Sequence, residues 1–193
     1  LTQGGLHVND TVRNNILFGR EMDEEKYATT IDCCELADDL VLFTHGDETE
    51  VGEKGNTLSG GQKARIGLAR AVYADKDIYL LDDPLSAVDY RVGSRIFKKC
   101  MRGLLRDKIV LMVTNSPQYL PDCDEVVVMS NGSIVRHGTF EELKNTEELK
   151  ALLVTKNTDQ PKVQVQEMAK KVKDEEEPRE KINLIAEEDK DMG

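Results

Sequence analysis

Two short stretches carry residue types suited to handling a phosphate. Leu58-Ser59-Gly60-Gly61-Gln62 reads as a loop breaking into a helix that runs from Gln62 to about Ala74. Two glycines let the backbone come close to a ligand, and Ser59 adds a hydroxyl. The helix behind them aims free backbone N–H groups and a partial positive charge at the loop, which suits an anion. Further on, the apolar run Ile78-Tyr79-Leu80-Leu81 ends in Asp82 and Asp83. In a parallel α/β sheet ligands gather at the carboxyl ends of strands, and a carboxylate there can hold Mg2+ through oxygen. Each stretch alone has a plainer reading, a turn in one case and a strand entering a capped loop in the other. Their order, with Pro84-Leu85-Ser86-Ala87-Val88-Asp89 following at once, favours the chemical reading.

The elements that must position these residues are legible as patterns. Asp77–Asp83 and Ile109–Thr114 are continuous apolar runs of strand length, the pattern of strands buried on both faces. Between them, Ile96, Phe97, Cys100 and Leu104 give Ser94 to Leu105 helical spacing, so the two strands are expected to be parallel with a right-handed crossover. Upstream, Thr11 to Phe18 reads as a short amphipathic helix capped by Asp10 or Thr11, followed by helices at about 23–34 and 36–42. Downstream, Glu125–Met129 and Ser133–His137 flank Asn131-Gly132, a strong hairpin signal. Thr139 and Glu142 form a capping box for a helix from Phe140 to about Lys144, and a second short helix covers Glu147 to Leu153. From about Thr155 Lys and Glu dominate, so residues 155–193 read as an acidic, disordered linker. The expected fold is α/β: a parallel sheet core within residues 1–154, with a helical subdomain at about 10–60.

The totals narrow the function. A 193-residue chain can hold one domain and a tail, and 39% hydrophobic residues suffice for a core. A net charge of −11 argues against a nucleic-acid backbone as partner. No apolar run approaches the ~18–20 residues that span a bilayer. The first residues look like a cut end inside a domain. Cys33, Cys34, Cys100 and Cys123 show no Cys-x-x-Cys spacing, and Cys33 and Cys34, adjacent on an expected helix, should point to different faces. They read as reduced thiols rather than a disulfide frame or zinc site.

Taken together, Leu58–Gln62, Asp82 and Ser86–Asp89 resemble the signature, Walker B aspartate and D-loop of the ATP-binding cassette (ABC) transporter nucleotide-binding domain, a P-loop NTPase-like fold. The resemblance implies ATP and Mg2+ as cofactors. It implies that Leu58, Ser59, Gly60, Gly61, Gln62 and Asp89 contact nucleotide and that Asp82 serves the metal. Gln3 is similar to the Q-loop glutamine, which touches Mg2+ and the attacking water. Thr11–Gly19 is similar to the segment that follows it, and Thr49–Gly55 to the X-loop that meets an exporter's membrane domains. The partners implied are a second nucleotide-binding domain and transmembrane domains, with this segment on the cytoplasmic side of a membrane.

The sequence also departs from that family. It contains no Gly-x-x-x-x-Gly-Lys-Ser/Thr phosphate loop; in the nearest match, Gly55 to Gly60, Gly61 stands where the lysine must be. The chain therefore resembles the C-terminal portion of such a domain and should by itself bind ATP weakly or not at all. Asp83 stands at the catalytic glutamate position, one methylene shorter, and Asn115 at the switch histidine position. Asparagine can hydrogen-bond a phosphate but cannot carry a proton. An intact signature beside a degenerate Walker side resembles the first nucleotide-binding domain of subfamily C, the multidrug resistance-associated proteins. Two other readings remain: a non-hydrolytic, ATP-gated module of a channel or receptor, and a soluble ABC ATPase. The X-loop stretch, the acidic charge and the lack of long heptads stand against the latter.

Overall fold

A computed structural model of the chain describes residues 8–52 and 58–155. Gln3, the Glu53–Gly55 part of the X-loop stretch and the tail from residue 156 onward lie outside these residues. The chain divides into two units, Leu1–Lys144 and Asn145–Gly193.

In the first unit, β1 (Asp10–Thr11) leads directly into α1 (Val12–Leu17). Thr11 is the cap, accepting from the Asn14 N–H, while Asp10 accepts from the Thr11 N–H and the Asn14 amide. Phe18 leaves the helix in the left-handed region. Next come α2 (Glu24–Cys33), capped by Asp23 with two acidic residues in its first turn, and α3 (Ala37–Leu42). Glu35 takes a φ of 53° between them and breaks the helix. A short β2 (Glu50–Val51) pairs antiparallel with β1.

The longest helix, α4 (Gly60–Tyr73), buries Ile66, Leu68, Ala69, Val72 and Tyr73 on one face. It packs against α1 and α2. Tyr73 accepts from the Asp23 N–H and donates to the Glu21 carbonyl, which ties the end of α4 to the start of α2. Asn15 of α1 is fully buried and fully used. Its amide donates to the Thr11 and Val8 carbonyls, and its oxygen accepts from the Val8 N–H and from Arg70 of α4. Arg70 also lies over the Phe18 ring, 4.5 Å from its centroid.

β3 (Ile78–Asp82) and β4 (Ile109–Val113) pair in parallel, with Ile78 opposite Ile109 and Asp82 opposite Val113. The expected pairing is present, but burial on both faces is not. Tyr79 and Leu81 are buried, whereas Ile78, Ile109, Leu111 and Val113 stand 58–64% exposed. The physical reason is that the helices supply one layer only: among the described residues, the opposite face of this pair remains open to solvent.

Between the strands, α5 (Tyr90–Ile96) starts earlier than expected because Asp89 caps it. It continues as a π-helical segment, Phe97–Leu104, in which Leu105 N–H reaches back to the Cys100 carbonyl at 2.9 Å. After β4, Pro117 opens a 3-10 turn, Pro117–Asp122. Within it, Tyr119 stacks on Phe97 at 4.8 Å between ring centroids. The hairpin β5 (Val126–Ser130) and β6 (Ser133–Gly138) forms as expected, with positive φ at Asn131 and Gly132. The Thr139–Glu142 capping box starts α6 (Phe140–Leu143). In the second unit, α7 spans Glu147–Thr155.

The cysteine reading needs correction in one respect. α2 stops at Cys33, so Cys34 lies in its cap rather than one helical step on, and the two Sγ atoms are 3.9 Å apart instead of on different faces. All four thiols are free.

Replacing Asn15 with Ala removes a buried side-chain partner from the Val8 backbone groups and from one Arg70 nitrogen. The expected loss is about 2–4 kcal/mol in urea denaturation. An unchanged midpoint would mean that water takes over the amide's role.

Candidate functional site

The signature-like loop is built by a reciprocal cap. Ser59 has extended backbone, and its hydroxyl oxygen accepts from the Gln62 N–H at 3.2 Å. The Gln62 side-chain oxygen accepts from the Ser59 N–H at 2.9 Å. This satisfies two of the donors that a helix start leaves over. Gly60 and Gly61, at the first two helical positions, have no intrahelical carbonyl for their N–H groups. α4 has no acidic residue in its first turn, so its positive end is not neutralised from within.

Gln62 is held from the other side as well. Its amide donates to Asp39 of α3 at 3.0 Å, and Asp39 pairs with Arg65 of α4 at 2.8 Å. Arg65 in turn donates to the Glu35 carbonyl. Both side-chain ends of Gln62 are thus committed to bracing the turn. Leu58 is buried and anchors the loop. A Cβ on Gly61 would stand 3.0 Å from the Ala87 carbonyl oxygen, so the signature turn and the D-loop stretch touch backbone to backbone.

At the carboxyl end of β3 the two aspartates diverge. Asp82 is exposed and available as an oxygen ligand. Asp83 is 6% exposed and has φ 43°, and its N–H bonds the Val113 carbonyl at 2.8 Å. The left-handed turn directs its carboxylate to the end of β4. There the Asn115 amide donates at 3.4 Å and the Thr114 hydroxyl at 3.5 Å. The two residues that depart from the family pattern are therefore neighbours. Ser86 donates to the Asp83 carbonyl at 2.9 Å, and Asp89 caps α5, accepting from the Arg91 and Val92 N–H groups at 3.1 Å.

The arrangement separates into an anion-facing helix start and an acidic strand end, joined by residues 84–89. The two available glycine donors fit a phosphate oxygen, and the exposed Asp82 carboxylate fits a hard cation such as Mg2+. Gln3 lies outside the described residues. Asp39 and Thr114 are parts of the site that motif reading missed. Asp39 sits in an acidic helix start that reads as surface, and only its burial marks it.

These contacts predict opposite outcomes at adjacent glycines. Gly60 faces the Ala87 side chain with ordinary contact at 3.6 Å, so Gly60→Ala is tolerated. Gly61→Ala forces the Ala87 backbone to move and costs about 1–3 kcal/mol. Thermal denaturation of the two variants side by side checks this; equal melting would remove the steric argument.

The chain is similar in sequence to known proteins. The ABC transporter family model matches residues 3–86. ABC transporter C family member 12 of Dictyostelium discoideum is 51% identical over 138 residues, 72% of this chain and 10% of that protein. ABC transporter C family member 9 of Arabidopsis thaliana is 52% identical over 136 residues, 70% of this chain and 9% of that protein. ATP-binding cassette sub-family C member 2 of Homo sapiens is 53% identical over 137 residues, again 70% and 9%. The chain thus spans about a tenth of the length of these curated relatives. Among the described residues, no helix is long and apolar enough to cross a membrane. These matches identify residues 3–86 as ABC ATPase domain sequence, and the relatives are transporters of ABC subfamily C.

Proposed function

We propose that this chain is part of an ATP-driven exporter and acts mainly by lending its signature to a nucleotide held elsewhere. In that reading Ser59 and the Gly60 and Gly61 N–H groups face the γ-phosphate of an ATP bound by a second nucleotide-binding domain. Transmembrane domains of the same protein carry the cargo, and this segment lies on the cytoplasmic side. The observation that carries the proposal is the contrast between the two halves of the site. The signature turn is braced by Asp39 through Gln62, while Asp83 meets Asn115 where an active site would need a longer carboxylate and a proton-carrying ring.

The chain's own strand end then forms the slow side of the pair. Asp82 would hold Mg2+, which when bound neutralises charge on the phosphates. Asp83 can orient a water but reaches about 1 Å less far than glutamate, a misplacement that can cost ~100-fold in rate. Asn115 can donate a hydrogen bond to an oxygen and takes up no proton. The open apolar face at Ile78, Ile109, Leu111 and Val113 supports a further layer of the domain packing there, one carrying the phosphate loop that this sequence lacks.

Two variants of the full-length protein test the assignment. Ser59→Arg puts a bulky cation where the phosphate must approach, and ATP turnover should fall by ~100-fold or more. Retained turnover would mean that this signature completes no hydrolytic site. Asp83→Glu combined with Asn115→His should raise single-turnover hydrolysis at the slow site by up to ~100-fold. No rise would place the limit outside these two side chains.

A further inference from the structure

Three sulfurs from two distant parts of the chain meet in the core. α2 ends on Cys33, the left-handed Glu35 turns the backbone just after Cys34, and the π-helical segment brings in Cys100. The Cys33 and Cys34 Sγ atoms are 3.9 Å apart, and all three Sγ atoms lie within 4.8 Å of one another. All three residues are buried and none is in a disulfide. Among the described residues, the polar partner the sulfurs have apart from each other is the Thr30 carbonyl, which accepts from Cys33 at 3.4 Å.

The spacing suits an ion at the centre. Metal–sulfur bonds of ~2.3 Å in a flat three-coordinate site put the sulfurs ~4.0 Å apart. The cluster needs to contract by less than an ångström to reach that. Zinc prefers four ligands in a tetrahedron, and no fourth histidine, cysteine or carboxylate joins the group among the described residues. An all-sulfur donor set selects a soft ion, of which copper(I) is the common monovalent one. Charge is compatible with that choice: one thiolate and two neutral thiols around a monovalent ion sum to zero in the dry core. A cavity of about 210 Å³ beside α2 and the π-helical segment is lined by Tyr79, Leu104, Leu105 and by Thr30, the residue whose carbonyl accepts from Cys33. π-helical turns are uncommon and tend to occur at functional sites.

We propose that Cys33, Cys34 and Cys100 form a three-sulfur binding site for copper(I). Binding is ligation without electron transfer. The copper stays monovalent, and each thiol that binds as thiolate releases its proton to solvent. A bound ion would tie the end of α2 to the segment that follows α5. It would thereby link the helices that brace the signature turn to the stretch between the two parallel strands.

The test is an anaerobic titration of the intact protein with copper(I) against a chromophoric copper(I) chelator. The wild type should bind one copper(I) per chain that Cys100→Val and Cys33→Ala do not bind, or bind at least ~10-fold more weakly. Cys123→Ser should match the wild type. X-ray absorption on the wild type should count three sulfurs at ~2.3 Å, a readout that stands even where a variant folds poorly. The proposal is overturned if the wild type takes up no copper(I), if both core variants keep its stoichiometry and affinity, or if absorption counts two sulfurs or nitrogen and oxygen ligands. Displacement of the copper by equimolar zinc would also overturn it, since that requires a fourth ligand.

Discussion

The close approach of Gly61 to the Ala87 carbonyl is the constraint on which the site depends. A side chain at that point would press on the Ala87 backbone, so the start of α4 and the loop after β3 sit in close backbone contact. That loop is fixed at its other end by Ser86 on the Asp83 carbonyl, and at its exit by the Asp89 cap. The start of α4 and the acidic strand end are therefore connected through about six residues of bonded backbone. A change at either end has a short physical route to the other.

Much of this was legible in the sequence, for local reasons. The capping box at Thr139–Glu142, the Asn131-Gly132 hairpin and the parallel strand pair each depend on neighbouring residues or on one short apolar run. What escaped depends on contacts between segments far apart. Asp39 reads as one of several acids on a helix, and only the fold turns it toward Gln62 and Arg65. The three-sulfur cluster needs Cys100 delivered across the core. It also needs α2 to stop one residue short of the second cysteine, which is a matter of Glu35 adopting a left-handed backbone. The open face of β3 and β4 could not be foreseen from composition, because a run of apolar residues says that burial is favourable but not what supplies it.

The acids around the helical part are distributed to the same end. Glu35 shows the balance. Burial pushes its carboxyl up, but hydrogen bonds from Lys99 and Arg95 bring it net below the usual carboxylate value. Together with the Arg65 bond to the Glu35 carbonyl, these contacts join the α2–α3 turn to both α4 and α5. Exposed ion pairs contribute little individually. Here they converge on one left-handed residue, and that residue positions both the signature brace and the buried thiols.

The two halves of the site differ in how firmly their donors are held. On the signature side the bonds are 2.8–3.2 Å, exposed at the Ser59–Gln62 cap and partly buried where they run through Asp39 to Arg65. On the strand side the side-chain bonds to Asp83 are 3.4 and 3.5 Å, at the outer limit of useful hydrogen bonding. Electrostatic catalysis rewards groups that do not have to reorganise when charge develops. In the function proposed above, the braced helix start is the half suited to completing another nucleotide's site. The difference lies in the length of one side chain and the loss of one ring, not in the frame that carries them.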